Sequence, residues 1–410
     1  MSGFVTVIVK PVVTPYGDPN NAMIDPELVQ LLKRLVAVPS VNPMLAEDPE
    51  TGGEARMSRF LADHLERTGW DVEWHELIPG RPNVVGRFGP KSPKRTLMFE
   101  SHLDTQGIHG MTVPPFGGEV RDGRLYGRGA CDTKGPMAAT LHVLKPKMMQ
   151  EMADAGVGLL FIGAVGEEKG NVGAEQLVDL GVGADEAIVL EPTDLNIVHA
   201  HKGTYWFEVE VRGRAAHGSN PDLGQNAIYA MSDVLKAIRD QVAEACKVHS
   251  HPLLNKPTAN IGLIRGGSSI NIVPDRCIIE VDRRTLPGES HDDIKAAVKA
   301  CLARLEAADQ ISGWAIHPIK EGIPFATTSD SALVRRLLTS CAAEGIQSKA
   351  EGAAWYSDAG PFSRTCREIA VFGPGSIRQA HTADEFIELD SLEQGVRILT
   401  TFLRQLAAEA

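Results

Sequence analysis

Paired cysteines, basic clusters and long apolar runs are all missing from this sequence, and each absence removes a class of function. The six cysteines (Cys131, Cys246, Cys277, Cys301, Cys341, Cys366) lie far apart without a C-x-x-C spacing. That excludes a zinc knuckle and a dithiol redox motif and leaves reduced, structural thiols. Lys and Arg number 41 against 53 Asp and Glu, a formal charge of -12 with no basic cluster. Nucleic acid is therefore not an expected partner, because a phosphate backbone requires a basic face. No apolar run approaches the ~20 residues that span a bilayer, so no membrane partner is expected either. The N-terminal stretch MSGFVTVIVKPVVTPYGDP has no basic region before its short apolar part and no small-residue cleavage site. A secretory leader is not expected, and a cytoplasmic location follows by elimination.

The composition, with 43% apolar and 23% charged residues, is that of an ordinary globular protein. At 410 residues the chain exceeds the ~250–300 at which single cores stop growing, so two domains are expected. From Asp25 to about residue 200, helical periodicity alternates with short apolar runs. The stretches PELVQLLKRLVAVPS, GGEARMSRFLADHLERTGW and GPMAATLHVLKPKMMQ read as three helices. RTLMFE (95–100), GLLFIGAV (158–165), EAIVL (186–190) and IAVF (369–372) read as buried strands. This is the pattern of an α/β fold with a mainly parallel sheet flanked by helices.

The rhythm changes in the middle. From Tyr205 an alternating strand, a helix over about 225–246, strands at 260–264 and 276–284, a helix from His291 and a last strand at 313–319 follow in order. Strand–helix–strand–strand–helix–strand is the split βαβ, ferredoxin-like α+β arrangement. We therefore expect a discontinuous α/β domain, 1–201 and 321–410, interrupted by an inserted α+β domain, 202–320.

The chemistry-bearing residues follow the strands directly. RTLMFE runs into Ser101-His102-Leu103-Asp104, GLLFIGAV into Gly166-Glu167-Glu168, EAIVL into Glu191, and IAVF leads through a GPGS turn to His381. Ligands of open parallel sheets bind beyond the carboxyl ends of the strands, so these side chains are expected in one crevice. Singly, each has a plain reading: His102 a satisfied polar residue, Glu167-Glu168 a solvated loop, Asp132 a helix N-cap. Together those readings require several facing carboxylates with nothing to offset their repulsion. A cation resolves the conflict, and nitrogen and oxygen donors without sulfur suit zinc, cobalt or manganese.

S-H-L-D-T, G-R-G-A-C-D-T-K-G, G-E-E, L-E-P-T-D and Q-A-H-T-A-D-E-F, in this order and at these intervals, resemble the metallopeptidase family of acetylornithine deacetylases, succinyl-diaminopimelate desuccinylases, aminoacylases and glutamate carboxypeptidases. The likeness runs from about residue 25 to the end. It implies two divalent metals per chain, zinc first and cobalt or manganese as alternatives. His102 and Glu191 would bind one, Glu168 and His381 the other, with Asp132 bridging. It further implies Glu167 as the general base that activates a metal-bridging water, and Asp104 as the partner that orients the His102 ring. In the inserted segment it implies that His217 reaches the active site of a partner subunit. It also implies that Asn271 and Arg284 bind a substrate carboxylate, Arg283 being the alternative to Arg284. An ordinary turn role for His217 and a strand-end cap for Asn271 stay open.

L-E-P-T-D-L, A-H-K-G and G-P-G-S-I-x-Q-A-H look most like acetylornithine deacetylase and its near relatives. The implied reaction is hydrolysis of the amide of a small N-acyl amino acid by a homodimer joined through the inserted domain. Desuccinylase, carboxypeptidase or another amide or amine hydrolase activity is the first alternative, and a non-catalytic metal-binding homologue the remote one. The Trp355-Tyr356 pair departs from the family pattern near the expected substrate, where it would narrow the pocket or simply pack.

Overall fold

The structure is a computed structural model that describes residues 24–410, so the leader question lies outside the described residues. The larger sheet has nine strands. At its centre Val157–Ala164, Arg95–His102, Glu186–Val189 and Glu368–Val371 run parallel to one another. The flanks Asp71–Ile78 and Arg81–Phe88 on one side, and Ile197–His201 with Phe325–Ala326 on the other, join antiparallel. Ala350–Ala353 adds a parallel partner to Ile197–His201. The central strands are buried throughout, as strands covered by helices on both faces must be.

Alternation along Arg95–His102 sends Leu97 and Phe99 to one face and Met98 to the other. On the first face they meet Leu61, Met137, Leu399 and Phe402; on the second Met98 lies in a core with Ala174, Leu177 and Phe362. Helix Pro26–Val36 shows why the chain folds this way locally. Asp25 accepts a hydrogen bond from the Glu27 amide, Pro26 fills the first turn, and Leu28, Leu31, Leu32 and Leu35 form one buried stripe. The helix expected over 135–150 is two helices, Lys134–Val143 and Pro146–Asp154. Pro146 removes an amide and drives Lys145 into an extended conformation, which ends the first helix and starts the second.

A separate four-stranded antiparallel sheet has the order Thr258–Gly266, Arg276–Thr285, Gly203–Arg212, Trp314–Gly322. Helices Ala227–Val248 and His291–Ala307 cover one face of it through Met231, Val234, Val298 and Leu302. A small third sheet pairs Phe386–Glu388 with Arg124–Tyr126, and so ties the segment after His381 to the one before Asp132. Among the described residues no helix is long and apolar enough to cross a membrane.

Candidate metal centre

The parallel strands deliver their terminal residues to one place. His102 ends its strand, Glu167 and Glu168 follow Ala164 after a short turn, and Glu191 lies two residues beyond Val189. Two groups of ligand atoms result: His102, Asp132 and Glu191, and Asp132, Glu168 and His381, each gathered within 4.8 Å. Asp132 belongs to both. Its Oδ1 lies 3.0 Å from His102 Nε2 and its Oδ2 3.2 Å from His381 Nε2. Glu191 Oε1 is 3.9 Å from His102 Nε2, and Glu168 Oε2 is 3.0 Å from His381 Nε2. The first group is buried, whereas the His381 side chain is 49% exposed, so the crevice opens on the His381 side. His381 holds a left-handed backbone, φ 63°, which a non-glycine residue keeps only when its surroundings impose it.

The electrostatics are those of carboxylates and imidazoles crowded together out of water. Burial pushes Glu191 well up, and the Asp132 charge adds to the shift. Glu168 is pushed up to about 7 by the same two causes. Burial works against Asp132 too, yet hydrogen bonds from His102 and His381 hold its carboxyl well below the usual range. In return Asp132 and Glu168 raise His381 to about 10. Burial lowers the His102 ring's proton affinity, but the Asp132 hydrogen bond and the Glu191 charge more than reverse this. Glu168 Oε1 is buried without a hydrogen-bond partner, a cost that an approaching cation would remove.

These directions fix how the metal-free protein responds to pH. The neutral Glu168 carboxyl is favoured in the fold, so stability falls as pH rises from its ordinary 4.5 towards about 7. The His381 contribution is complete below its ordinary 6.5 and is lost as pH rises through about 10. Both act in one direction, and bound cations, which need neutral histidines and ionised carboxylates, act in the other. We expect the gap in melting temperature between metal-loaded and chelator-treated protein to widen between pH 6 and pH 9, a comparison in which groups outside the cluster, such as the buried Lys134 ammonium lowered to about 7, count equally in both states. Scanning calorimetry at matched ionic strength measures this; a gap that narrows towards pH 9 would contradict the assignment.

Outer contacts hold the ligands. His102 Nδ1 faces the Asp104 carbonyl at 2.9 Å, with the Asp104 carboxylate farther away at 3.7 Å, so the main chain rather than the side chain orients the ring. The Asp104 carboxylate instead accepts the consecutive amides of Gly166, Glu167 and Glu168 at 3.0, 3.0 and 3.1 Å, and Asn42 Nδ2 at 2.8 Å. It shapes the loop that carries Glu167. Burial raises the Glu167 carboxyl; His102 and Lys320 draw it down, while Asp104 and Asp132 push it further up.

Several participants were missed in the sequence. Glu385 accepts the amides of Cys131 and Asp132 at 3.0 Å each and pairs with Arg128 at 2.7 Å, fixing the Asp132 loop. It stands inside the A-D-E-F motif, which was the available signal. Gln106 Nε2 donates to Glu168 Oε2 at 3.2 Å. Asp358, held by Asn171 at 3.0 Å, is pushed up to about 7 by burial and then by the Glu167 charge.

None of the residues expected from the second sheet belongs to either ligand group. His217 and Asn271 are exposed; His217 Nδ1 lies 2.7 Å from Ser219 Oγ, and Asn271 Oδ1 accepts from Ser269 Oγ at 2.6 Å. Arg283 is buried and paired with Glu289 at 2.6 Å, whereas the half-buried Arg284 pairs with Asp282 at 2.9 Å. Tyr356 packs on His201 with ring centres 5.2 Å apart. Trp355 helps to line a cavity of about 170 Å³ immediately beyond Glu191 with Pro192, Thr193 and Asp194. A larger cavity of about 690 Å³ lies at the opposite, N-terminal ends of the central strands, beside Thr96 and Gly158, away from this chemistry.

The sequence pattern of peptidase family M20/M25/M40 matches residues 98–405. An acetylornithine deacetylase of Myxococcus xanthus is 33% identical over 341 residues, 81% of this chain and 87% of the relative. One from Vibrio atlanticus (strain LGP32) is 28% identical over 391 residues, 93% and 98% of the two chains. Among solved structures, an M20 family metallo-carboxypeptidase of Sulfolobus solfataricus superposes with a TM-score of 0.76 at 20% identity, covering 93% of this chain and 99% of that one. A dinuclear metal-binding peptidase of the same family from Bacillus subtilis gives 0.68 at 14% identity, covering 94% and 98%. The structural likenesses carry the fold, an α/β architecture with a mainly parallel central sheet.

Proposed function

Because this chain belongs to peptidase family M20/M25/M40 and is a metal-dependent hydrolase of amide bonds, we propose that it hydrolyses a small N-acyl amino acid in the manner of an acetylornithine deacetylase. The observation that carries this reading is the pair of ligand groups sharing Asp132, with Glu167 alongside but outside both. The donor set fits two divalent ions: two imidazoles, three carboxylates, and a buried Glu168 oxygen without a partner. His102 and Glu191 would hold one, Glu168 and His381 the other, and Asp132 both. Zinc suits these donors best, with cobalt or manganese satisfying the same types. When bound, such ions polarise a scissile carbonyl and lower the pKa of water.

The chain's own residues supply the rest. Glu167 takes the proton of the attacking water and passes it to the departing nitrogen, releasing a carboxylate and a free amine. Asp104 positions Glu167 by holding its loop through three amides. Arg284, less buried than Arg283 and not locked to Glu289, offers the planar fork suited to a substrate carboxylate, with Asn271 as its companion.

We assign 1–201 and 321–410 to a catalytic domain and 202–320 to an inserted lid that pairs with a second copy. Supporting this, Thr258–Gly266 lies at an edge of its sheet, and Leu263, Ile264, Ile270 and Tyr229 expose large apolar surface nearby. Within such a dimer the exposed His217 would serve the partner's site. A fully active monomer in sedimentation of the metal-loaded protein would remove His217 from that role.

The test of the whole reading is elemental analysis followed by assay of the metal-loaded enzyme on N-acetylornithine, N-succinyl-diaminopimelate and other N-acyl amino acids. About two metals per chain with turnover supports it. Absence of metal after reconstitution, or full occupancy without turnover of any acylated substrate, overturns it.

A further inference from the structure

The second sheet carries a row of side chains that neither the metal ligands nor the proton transfer use. Asp282 and Lys320 are the register partners of Trp206 on its two neighbouring strands. Trp206 Nε1 donates to Asp282 Oδ1 at 2.7 Å, and Asp282 pairs with Arg284 at 2.9 Å. Lys320 Nζ lies 5.5 Å from the Trp206 ring centre and 5.2 Å from that of Tyr356. Tyr356 comes from the loop after Ala350–Ala353 of the larger sheet, so Lys320 reaches across the crevice between the two sheets.

The placement is built by the backbone. The strand Trp314–Gly322 bulges between Pro318 and Lys320, and the extra residue puts Lys320 directly opposite Trp206. The edge position of the strand tolerates Pro318. The adjacent Glu321 is already taken by Lys295 at 3.1 Å, and among the described residues Lys320 forms no ion pair. Its charge instead acts across the crevice on Glu167. An ammonium beside two rings, one from each sheet, and without a carboxylate of its own is a preformed anion site where the two sheets meet.

We propose that Lys320 is a specificity-determining residue that binds a second carboxylate of the substrate, beyond the one given to Arg284, so that the preferred substrate carries two carboxylates. The inference rests on the N-acyl amino acid reading above. The shared chemistry has two sources, a carboxylate at the end of the acyl group or one on the amino-acid side chain.

Steady-state kinetics of the metal-loaded enzyme on N-acetylornithine, N-succinylornithine and N-acetylglutamate, for the native chain, Lys320→Met and Lys320→Arg, separates them. One of the two dicarboxylates is expected to be preferred, and Lys320→Met to lower its kcat/KM by ~10–100-fold, mainly through KM. N-Acetylornithine reports the part of the loss that comes from the missing charge near Glu167 and is common to all three substrates; the loss on the responding substrate should exceed it by at least about threefold, and Lys320→Arg should recover most of that excess. The dicarboxylate that responds identifies the source. Equal effects on all three substrates overturn the proposal. If none is hydrolysed, the deacylase reading fails separately, and calorimetric binding of the same two dicarboxylates to the metal-loaded protein still decides: binding ~10-fold weaker in Lys320→Met supports the site, unchanged binding overturns it.

Discussion

Glu167→Gln is expected to lower kcat by ~10²–10⁴ while metal content stays as in the native chain. The glutamine keeps the length, shape and hydrogen-bonding ability of the side chain and removes only its capacity to accept a proton. Glu167 belongs to neither ligand group, so occupancy has no reason to change. Its backbone amide, 3.0 Å from Asp104 Oδ1, holds the loop whichever side chain is present. Burial raises its carboxyl from the ordinary range, and the neighbouring Asp104 and Asp132 charges add to this against His102 and Lys320, moving a weak base towards a useful one. Elemental analysis beside single-turnover assay separates the two quantities. Residual activity within about tenfold of native would give the proton transfer to another group.

Legibility of this molecule in its sequence follows from what sets each feature. The four parallel strands were readable because burial on both faces makes them continuous apolar runs bounded by Gly, Pro or charge. The hairpin Asp71–Ile78 with Arg81–Phe88 was not, since its outer strand is half-exposed and carries Asp71, Glu73, His75 and Glu76, which look like loop residues. The break at Lys145 was overlooked although Pro146 announced it. At the site, residues that follow strands were visible by position alone. Glu385 and Asn42 were not, because they act through main-chain amides and through Asp104, contacts that depend on chain crossings rather than on local pattern. Lys320 was hidden by the bulge, since strict alternation gives no hint of a shifted register.

Asp132 separates a true two-metal centre from two neighbouring single sites. If one carboxylate serves both ions, Asp132→Ala must lower the affinity of both together, by more than the ~10–100-fold that loss of an outer hydrogen-bond partner costs. His381→Ala, by contrast, removes a ligand from the more exposed group alone and should leave the buried His102 and Glu191 site filled. The expected contents are about two metals in the native chain, about one in His381→Ala, and well below one in Asp132→Ala, where hydrolysis should fall below detection. The metal-free state supplies a second readout. Asp132 is the hydrogen-bonded neighbour of both histidines, so its loss should lower His381 from about 10 in NMR titration, with Glu168 at 3.0 Å still holding the ring above its ordinary value. An Asp132→Ala protein that keeps one metal at native affinity would show that the two groups, though they share a residue in space, do not share it in binding.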